Sequence, residues 1–442
     1  MGHLMSCLAT RWWVAVAWID QALKEGSRLV DEVEIFYAEG VSVSADLKRK
    51  NVNIATRSEE CGLGIRTIEK GRIGSSSTHD PKQWRKCLNA AIASGRLATP
   101  QQWGGLPKQS VSDTDLLCYD PSLTPDPQVA YGLLGQMLEG AARHPAEITS
   151  GSATLASATD IIANSSGLRY TSRHTGIYLS LDAIRDQSTG SEFAHSCFMD
   201  TDPSAVGERA AFLASHSVGG KDIASGNYDV LLSPIAYAEL LGAAFIPALS
   251  GRNVHAGRSY LASRLGDEII DGRISMYDDP LRSKGLVSGL WDAEGMPTKR
   301  VEFVRGGILA SFAYDLRTAY RYGKESTASA IRNGATGGTA IGHHNFTVEG
   351  PRTSVADERV LYIHSLVGAH TANPMNGDFS VEISNAFWME DGEFQVPVRS
   401  AMLTGNVFDM HKEIGGISEE DRQIGSMVLP SIRLISQRII GK

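Results

Sequence analysis

The sequence has no cysteine pair at Cys-x-x-Cys spacing and no cysteine at all after Cys197. Its five cysteines, Cys7, Cys61, Cys87, Cys118 and Cys197, are odd in number and widely scattered. That pattern argues against a disulfide framework or a zinc knuckle and fits free thiols in a reducing cytoplasm. Long apolar runs are also missing. No stretch reaches the roughly 18 apolar residues that span a bilayer, so no membrane association is expected. Positive charge is in deficit: the net charge is -8, and Lys48-Arg49-Lys50 is the only dense basic cluster. An acidic surface repels phosphate, which disfavours direct nucleic-acid binding and leaves the cluster as a solvated face. Gly-x-Ser-x-Gly occurs nowhere, so the usual serine-hydrolase elbow is excluded. Gly334, Gly337, Gly338 and Gly342 lack the Gly-Lys-Ser/Thr ending of a phosphate loop and read as turns. Internal repeats and low-complexity tracts are absent.

What is present reads as α+β. Residues 11–30 have the spacing of an amphipathic helix, although the apolar run Trp12–Ile19 after Arg11 also resembles a signal peptide. Val33–Gly40, Val41–Ala45 and Gly62–Ile68 read as strands, and Ile73–Thr78 returns as a hairpin partner of the last. Asp80-Pro81 is a helix start, with Asp as cap and Pro at the first helical position. Residues 99–127, rich in Pro, Gln, Ser and Asp, have linker chemistry. A second unit follows, with a helix near 127–143, strands at Ile148–Ser157, Asp160–Ala163, Leu168–Thr175 and Gly176–Ile184, and a helix near 203–218. In the third unit Val230-Leu231-Leu232 is a short strand and Ser233-Pro234 caps a helix. Arg300–Val304, Ile308–Tyr314, Val360–Leu366 and Phe379–Phe387 are short β-type runs between glycines. The expected organisation is an N-terminal α+β domain (1–110), a linker (111–126), a middle α+β domain (127–222) and a large β-rich C-terminal domain (223–442). The first two are read as α/β-sandwich-type units and the last as curved, barrel-like sheets.

Five segments in order resemble the TldD/PmbA family. They are Glu60–Arg66 with Gly71–Ser76, the Asn164–Gly167 turn, Asp292–Thr298 with Gly306–Leu309, Gly377–Ser380, and Ala401–Asn406. The resemblance covers about residues 30–440, and its details are similar to the PmbA (TldE) branch. It implies a subunit of a metallopeptidase complex that takes unfolded peptides, in a family also named as modulators of DNA gyrase. In that family the catalytic TldD subunit binds metal through His-Glu-x-x-x-His and a later Cys, donors that suit zinc, with the Glu activating metal-bound water. Here the aligned segment is Ala238-Glu239-Leu240-Leu241-Gly242-Ala243. Methyl groups replace both imidazoles, and the later cysteine is missing too. Positions five apart on a regular helix lie about 140° from each other, so this motif needs a locally widened helix or a helix end.

The resemblance therefore implies a non-catalytic subunit without a cofactor of its own, zinc being confined to a TldD-like partner. Glu239 is the remnant of the family motif, and no catalytic residue is assigned. The candidate cleft residues are Ala238, Glu239, Ala243, His343, His344, His370 and Asp378. Expected partners are a TldD-like catalytic subunit, an unfolded or extended peptide held as an added strand, and a second copy of the chain in a homodimer. Two alternatives remain at this stage. One is an independent metallopeptidase using His343, His344, His364 or His370. Against it, neighbouring side chains on a strand point to opposite faces. The other is a regulatory binding protein of the gyrase-modulator kind.

Overall fold

The computed structural model describes residues 17–110 and 116–442. Cys7, most of the Trp12–Ile19 run and the first five residues of the expected linker (111–126) fall outside these residues. Helix α1 (17–26) buries Ile19, Ala22 and Gly26, one stripe of the expected amphipathic pattern. It is followed by strands β1 (Glu32–Lys48), β2 (Asn51–Glu69) and β3 (Arg72–Thr78) and helix α2 (Trp84–Leu97). The middle unit repeats this order: α3 (Pro127–Ala141), β4 (Glu147–Asn164), β5 (Arg169–Arg185), β6 (Ser188–Ser196) and α4 (Pro203–His216). Asp126 and Asp202 cap α3 and α4, each followed by Pro at the first turn.

The two units share one antiparallel sheet of order β3-β2-β1-β4-β5-β6. β1 and β4 pair without a break from Glu34↔Asn164 to Lys48↔Ser150. Several runs read as separate strands are therefore continuous: Val33–Gly40 with Val41–Ala45, Ile148–Ser157 with Asp160–Ala163, and Leu168–Thr175 with Gly176–Ile184. The small residues at the apparent breaks lie across from one another, as in Gly40↔Ala158 and Gly176↔Ala156. They do not end the strands. They leave room on one face, where the sheet curls into a half-barrel. On the opposite face Val33, Ile35, Tyr37, Val43, Ala45 and Leu47 are buried beneath the helices. α3 and α4 cross at Gly140 and Gly207, where any Cβ would collide with backbone of Ser204 or Met137. Lys48, Arg49 and Lys50 form the exposed β1–β2 turn, with Arg49 at φ 59°. The Pro-rich segment is packed rather than free: Leu106 and Leu123 are buried, and Ser110 bonds Tyr170.

The C-terminal domain contains β7 (Gly226–Leu232), β8 (Ser275–Asp278), β9 (Val301–Arg305), β10 (Ile308–Leu309), β11 (Ala330–Arg332), β12 (Thr339–Ile341) and β13 (Phe346–Glu349). β14 (Val360–Val367), β15 (Asp378–Glu390), β16 (Glu393–Val398), β17 (Met402–Asn406), β18 (Ile414–Ile424) and β19 (Met427–Ile440) complete it. Pairing runs β19-β17-β15-β14-β7 and returns from β7 to β19, which closes a five-stranded barrel. The expected strand over Ile308–Tyr314 is only two residues long, because Ala310 onward leaves the sheet. Helix α5 (Pro234–Leu240) follows β7 and packs against β14 and β19. No helix among the described residues is long and apolar enough to cross a membrane.

Buried charge fastens the curled sheet to this domain. Arg66 on β2 contacts Glu34 Oε2 and Glu294 Oε1, each at 2.5 Å, and Arg332 reaches Glu34 Oε1 at 3.2 Å. Two guanidinium groups thus face two carboxylates. At the other end of the sheet Arg422 pairs with Glu192, and His364 Nε2 bonds the Ser191 carbonyl at 3.3 Å.

Candidate functional site

Ser233 starts α5. Its Oγ accepts from the Ile235 and Ala236 N–H groups and donates to the His364 carbonyl, which ties the helix to β14. After Leu240 the helix widens into a π-helical turn over Leu241–Phe245, where the Ile246 N–H reaches back to the Leu241 carbonyl. Pro247 explains the widening: it has no N–H for the residue 243 carbonyl, and its ring crowds that carbonyl. The widened helix that a five-residue motif requires is therefore present, although neither aligned position carries a ligand. Tyr237 anchors α5 from within. Its hydroxyl donates to His411 Nε2 at 2.8 Å, while His411 Nδ1 donates to the Val407 carbonyl at 2.7 Å. Complete burial pushes the His411 imidazole down to about 4 and keeps it neutral.

Beside the π turn lies a cavity of about 350 Å³ lined by Glu239, Gly242, Ala243, Leu366, Gly368, Ala369 and His370. Glu239 Oε2 accepts the Leu366 N–H at 2.7 Å. β7 pairs with β14 only over Leu361–Ile363, so Leu366 sits beyond the end of that pairing. Burial pushes the Glu239 carboxyl up to about 7, and the single N–H bond only partly opposes this. Gly368, at φ 88°, turns the chain so that His370 stands exposed at the cavity rim.

The sequence candidates separate. Glu239, Ala243 and His370 come together around the cavity, whereas Ala238 is buried one turn back and does not line it. His344 is buried, with its backbone N–H and Nδ1 both on Asp278. His343 Nε2 contacts Ser426 Oγ at 2.9 Å. His364 is buried among Tyr362, Ser191 and Glu192, and burial pushes it down to about 4. Asp378 is exposed and bonded to Asn376 and Asn406. Zinc would need several convergent donors at the α5 locus. Ala238 and Ala243 supply none, and among the described residues no group of three or more His, Cys, Asp or Glu is placed to hold a metal ion. The residues present do not fit a zinc centre. Nothing in the sequence marks Tyr237–His411 or the Arg66–Glu34–Glu294 cluster, and Asp292–Thr298 stands out there only as a family motif. In the structure Asp292 accepts three backbone N–H groups, from Glu294, Met296 and Ala330, and so shapes the turn that presents Glu294 to Arg66.

Three family models match the chain: the PmbA/TldA metallopeptidase domain 1 over residues 33–95, the central domain over 120–218 and the C-terminal domain over 225–441. The chain belongs to the PmbA/TldD family. Among similar sequences, an uncharacterized protein of Methanocaldococcus jannaschii is 28% identical over 94% of this chain and 98% of its own length. Metalloprotease PmbA of Escherichia coli O157:H7 is 24% identical, covering 95% of each chain. Among solved structures, TldE from Thermococcus kodakarensis superposes with a TM-score of 0.89 at 24% identity, over 96% of this chain and all of that one. A Thermotoga maritima protein described as a candidate modulator of a DNA gyrase gives a TM-score of 0.84 at 24% identity, over 95% of this chain and all of that one. At that identity the two structures share the fold of this PmbA/TldD chain, including the half-barrel and the closed barrel.

Proposed function

We propose that this chain is the non-catalytic PmbA/TldE-type subunit of a TldD-type metallopeptidase acting on extended peptides in the cytoplasm. A TldD-like partner supplies the zinc, and this chain carries no cofactor. One observation carries the reading: the π turn and its cavity are kept, while Ala238 and Ala243 stand where ligands are required. A widened helix that is bare of donors and borders a cavity fits a cleft that serves binding. The free thiols of Cys61, Cys87, Cys118 and Cys197 support a reducing compartment. The net charge of -8 argues against direct DNA contact. The relatives' metalloprotease names support the reaction class but not which subunit performs it.

The test is reconstitution. The chain is purified alone and together with a homologous chain carrying intact His-Glu-x-x-x-His, and both preparations are given an unfolded peptide. Chelator-sensitive cleavage is expected only from the mixture, with the two chains co-eluting. Cleavage by the isolated chain, or full activity of the partner without it, overturns the reading.

A further inference from the structure

Glu239 is the half-buried carboxylate that faces the cavity, and no cationic side chain pairs with it among the described residues. Other buried carboxylates are differently placed. Glu34 and Glu294 face Arg66, Glu192 faces Arg422, and Asp292 is held by three backbone N–H groups. Glu239 has one oxygen on the Leu366 N–H, and its other oxygen has no hydrogen-bond partner among the described residues. The walls around it are Ala243, Leu366 and Ala369, with Gly242 and Gly368 contributing backbone only. Glu239 and His370 are the titratable groups of the lining.

A carboxylate partly removed from water gains most from a positive group brought to it. Three chemistries compete for the place. A divalent metal needs several donors and finds one carboxylate and, at the rim, one imidazole, with no group of three donors among the described residues. A guanidinium group binds best through two parallel bonds to both oxygens of a carboxylate, and the Leu366 N–H already takes part of the accepting capacity of one of them. A primary ammonium is a compact point charge that needs one free oxygen, and its alkyl stem matches the apolar walls. We propose that this cavity is a binding site for a primary ammonium group on an alkyl stem, with Glu239 as its counter-ion. The source, which rests on the peptide-binding reading above, is the α-amino end or a lysine side chain of an extended peptide.

The test uses the full chain alone, with chelator present and ionic strength matched. Thermal shift and calorimetric titration are run with n-butylammonium, n-butanol and n-propylguanidinium. Butylammonium is expected to stabilise the chain and to bind more tightly than the other two. Glu239→Gln should weaken it roughly 10-fold or more, the loss expected for a charge-assisted bond. Ala243→Leu, which fills the cavity from its apolar side and leaves Glu239 in place, should weaken it as well. Two decapeptides separate the sources: one with a free amino end and no lysine, one acetylated and carrying a single lysine. Equal shifts for the alcohol and the ammonium, no ammonium shift, or unchanged affinity in Glu239→Gln overturns the proposal. Co-elution with the TldD-type chain does not depend on the amine. Loss of one result therefore leaves the other standing, and the two readings fail separately.

Discussion

Glu294 and Glu239 are both carboxylates drawn out of water, and they have opposite surroundings. Glu294 is fully buried between Arg66 and the Leu316 N–H, at the seam between the curled sheet and the C-terminal domain. Burial raises its carboxyl, and the Arg66 charge pulls against that rise. Glu239 has one backbone N–H, no cation among the described residues and an open side toward a cavity. A buried charge supplied with its counter-ion from within the chain serves architecture. A buried charge left without one, on a cavity wall, is set up to receive something from outside.

The largest effect is expected at the seam. Arg66→Ala leaves Glu294 buried without its cation and Glu34 with Arg332 alone, and should cost about 3–5 kcal/mol in denaturant unfolding. A loss below about 1 kcal/mol would mean that the cluster is not what fastens the two domains. The next effect concerns pH. The Glu239 carboxyl rises from 4.5 to about 7 in the folded chain. The folded state therefore keeps a proton that the unfolded chain releases, and the contribution of Glu239 to stability falls as pH rises from 4.5 to about 7 and is level above. With the open side discounted for solvent, the drop is on the order of 2 kcal/mol. Comparing Glu239→Gln with the native chain across that range isolates it. A parallel pH profile for the two would show that Glu239 is fully solvated.

A smaller effect is expected at Tyr237→Phe, which leaves His411 Nε2 buried without a donor and should cost about 1–2 kcal/mol by thermal unfolding. Lys48→Ala, in the exposed β1–β2 turn, is the control and should stay within about 0.5 kcal/mol.

The sequence revealed those parts of the molecule that have local signatures. The alternation from Val33 to Leu47 marks the helix-covered face of β1. Asp80-Pro81 and Ser233-Pro234 mark helix starts, and both cap as read. The five-residue spacing of the Ala238–Ala243 segment called for a widened helix or a helix end, and the π turn over Leu241–Phe245 is the first of these. What stayed hidden depends on contacts with no local trace. Arg66 meets Glu294 across 228 positions of chain. No residue near β1 or β4 announces that the first two units merge into one sheet. His364 and His370 are close in sequence, but one is locked against Ser191 and the other stands at the cavity rim, because Gly368 turns the chain between them. In the sequence a small residue such as Gly40 or Gly176 reads as a strand end, whereas in a curled sheet it is a place to bend.

The most direct measurement is zinc content, by elemental analysis of the chain purified alone and dialysed against zinc-containing buffer. A chain that offers Glu239 with alanine at both aligned ligand positions, 238 and 243, should retain clearly less than one zinc per molecule, unchanged in Glu239→Gln. One tightly held zinc per chain, lost in that variant, would contradict the division between a donor-free binding subunit and its catalytic partner.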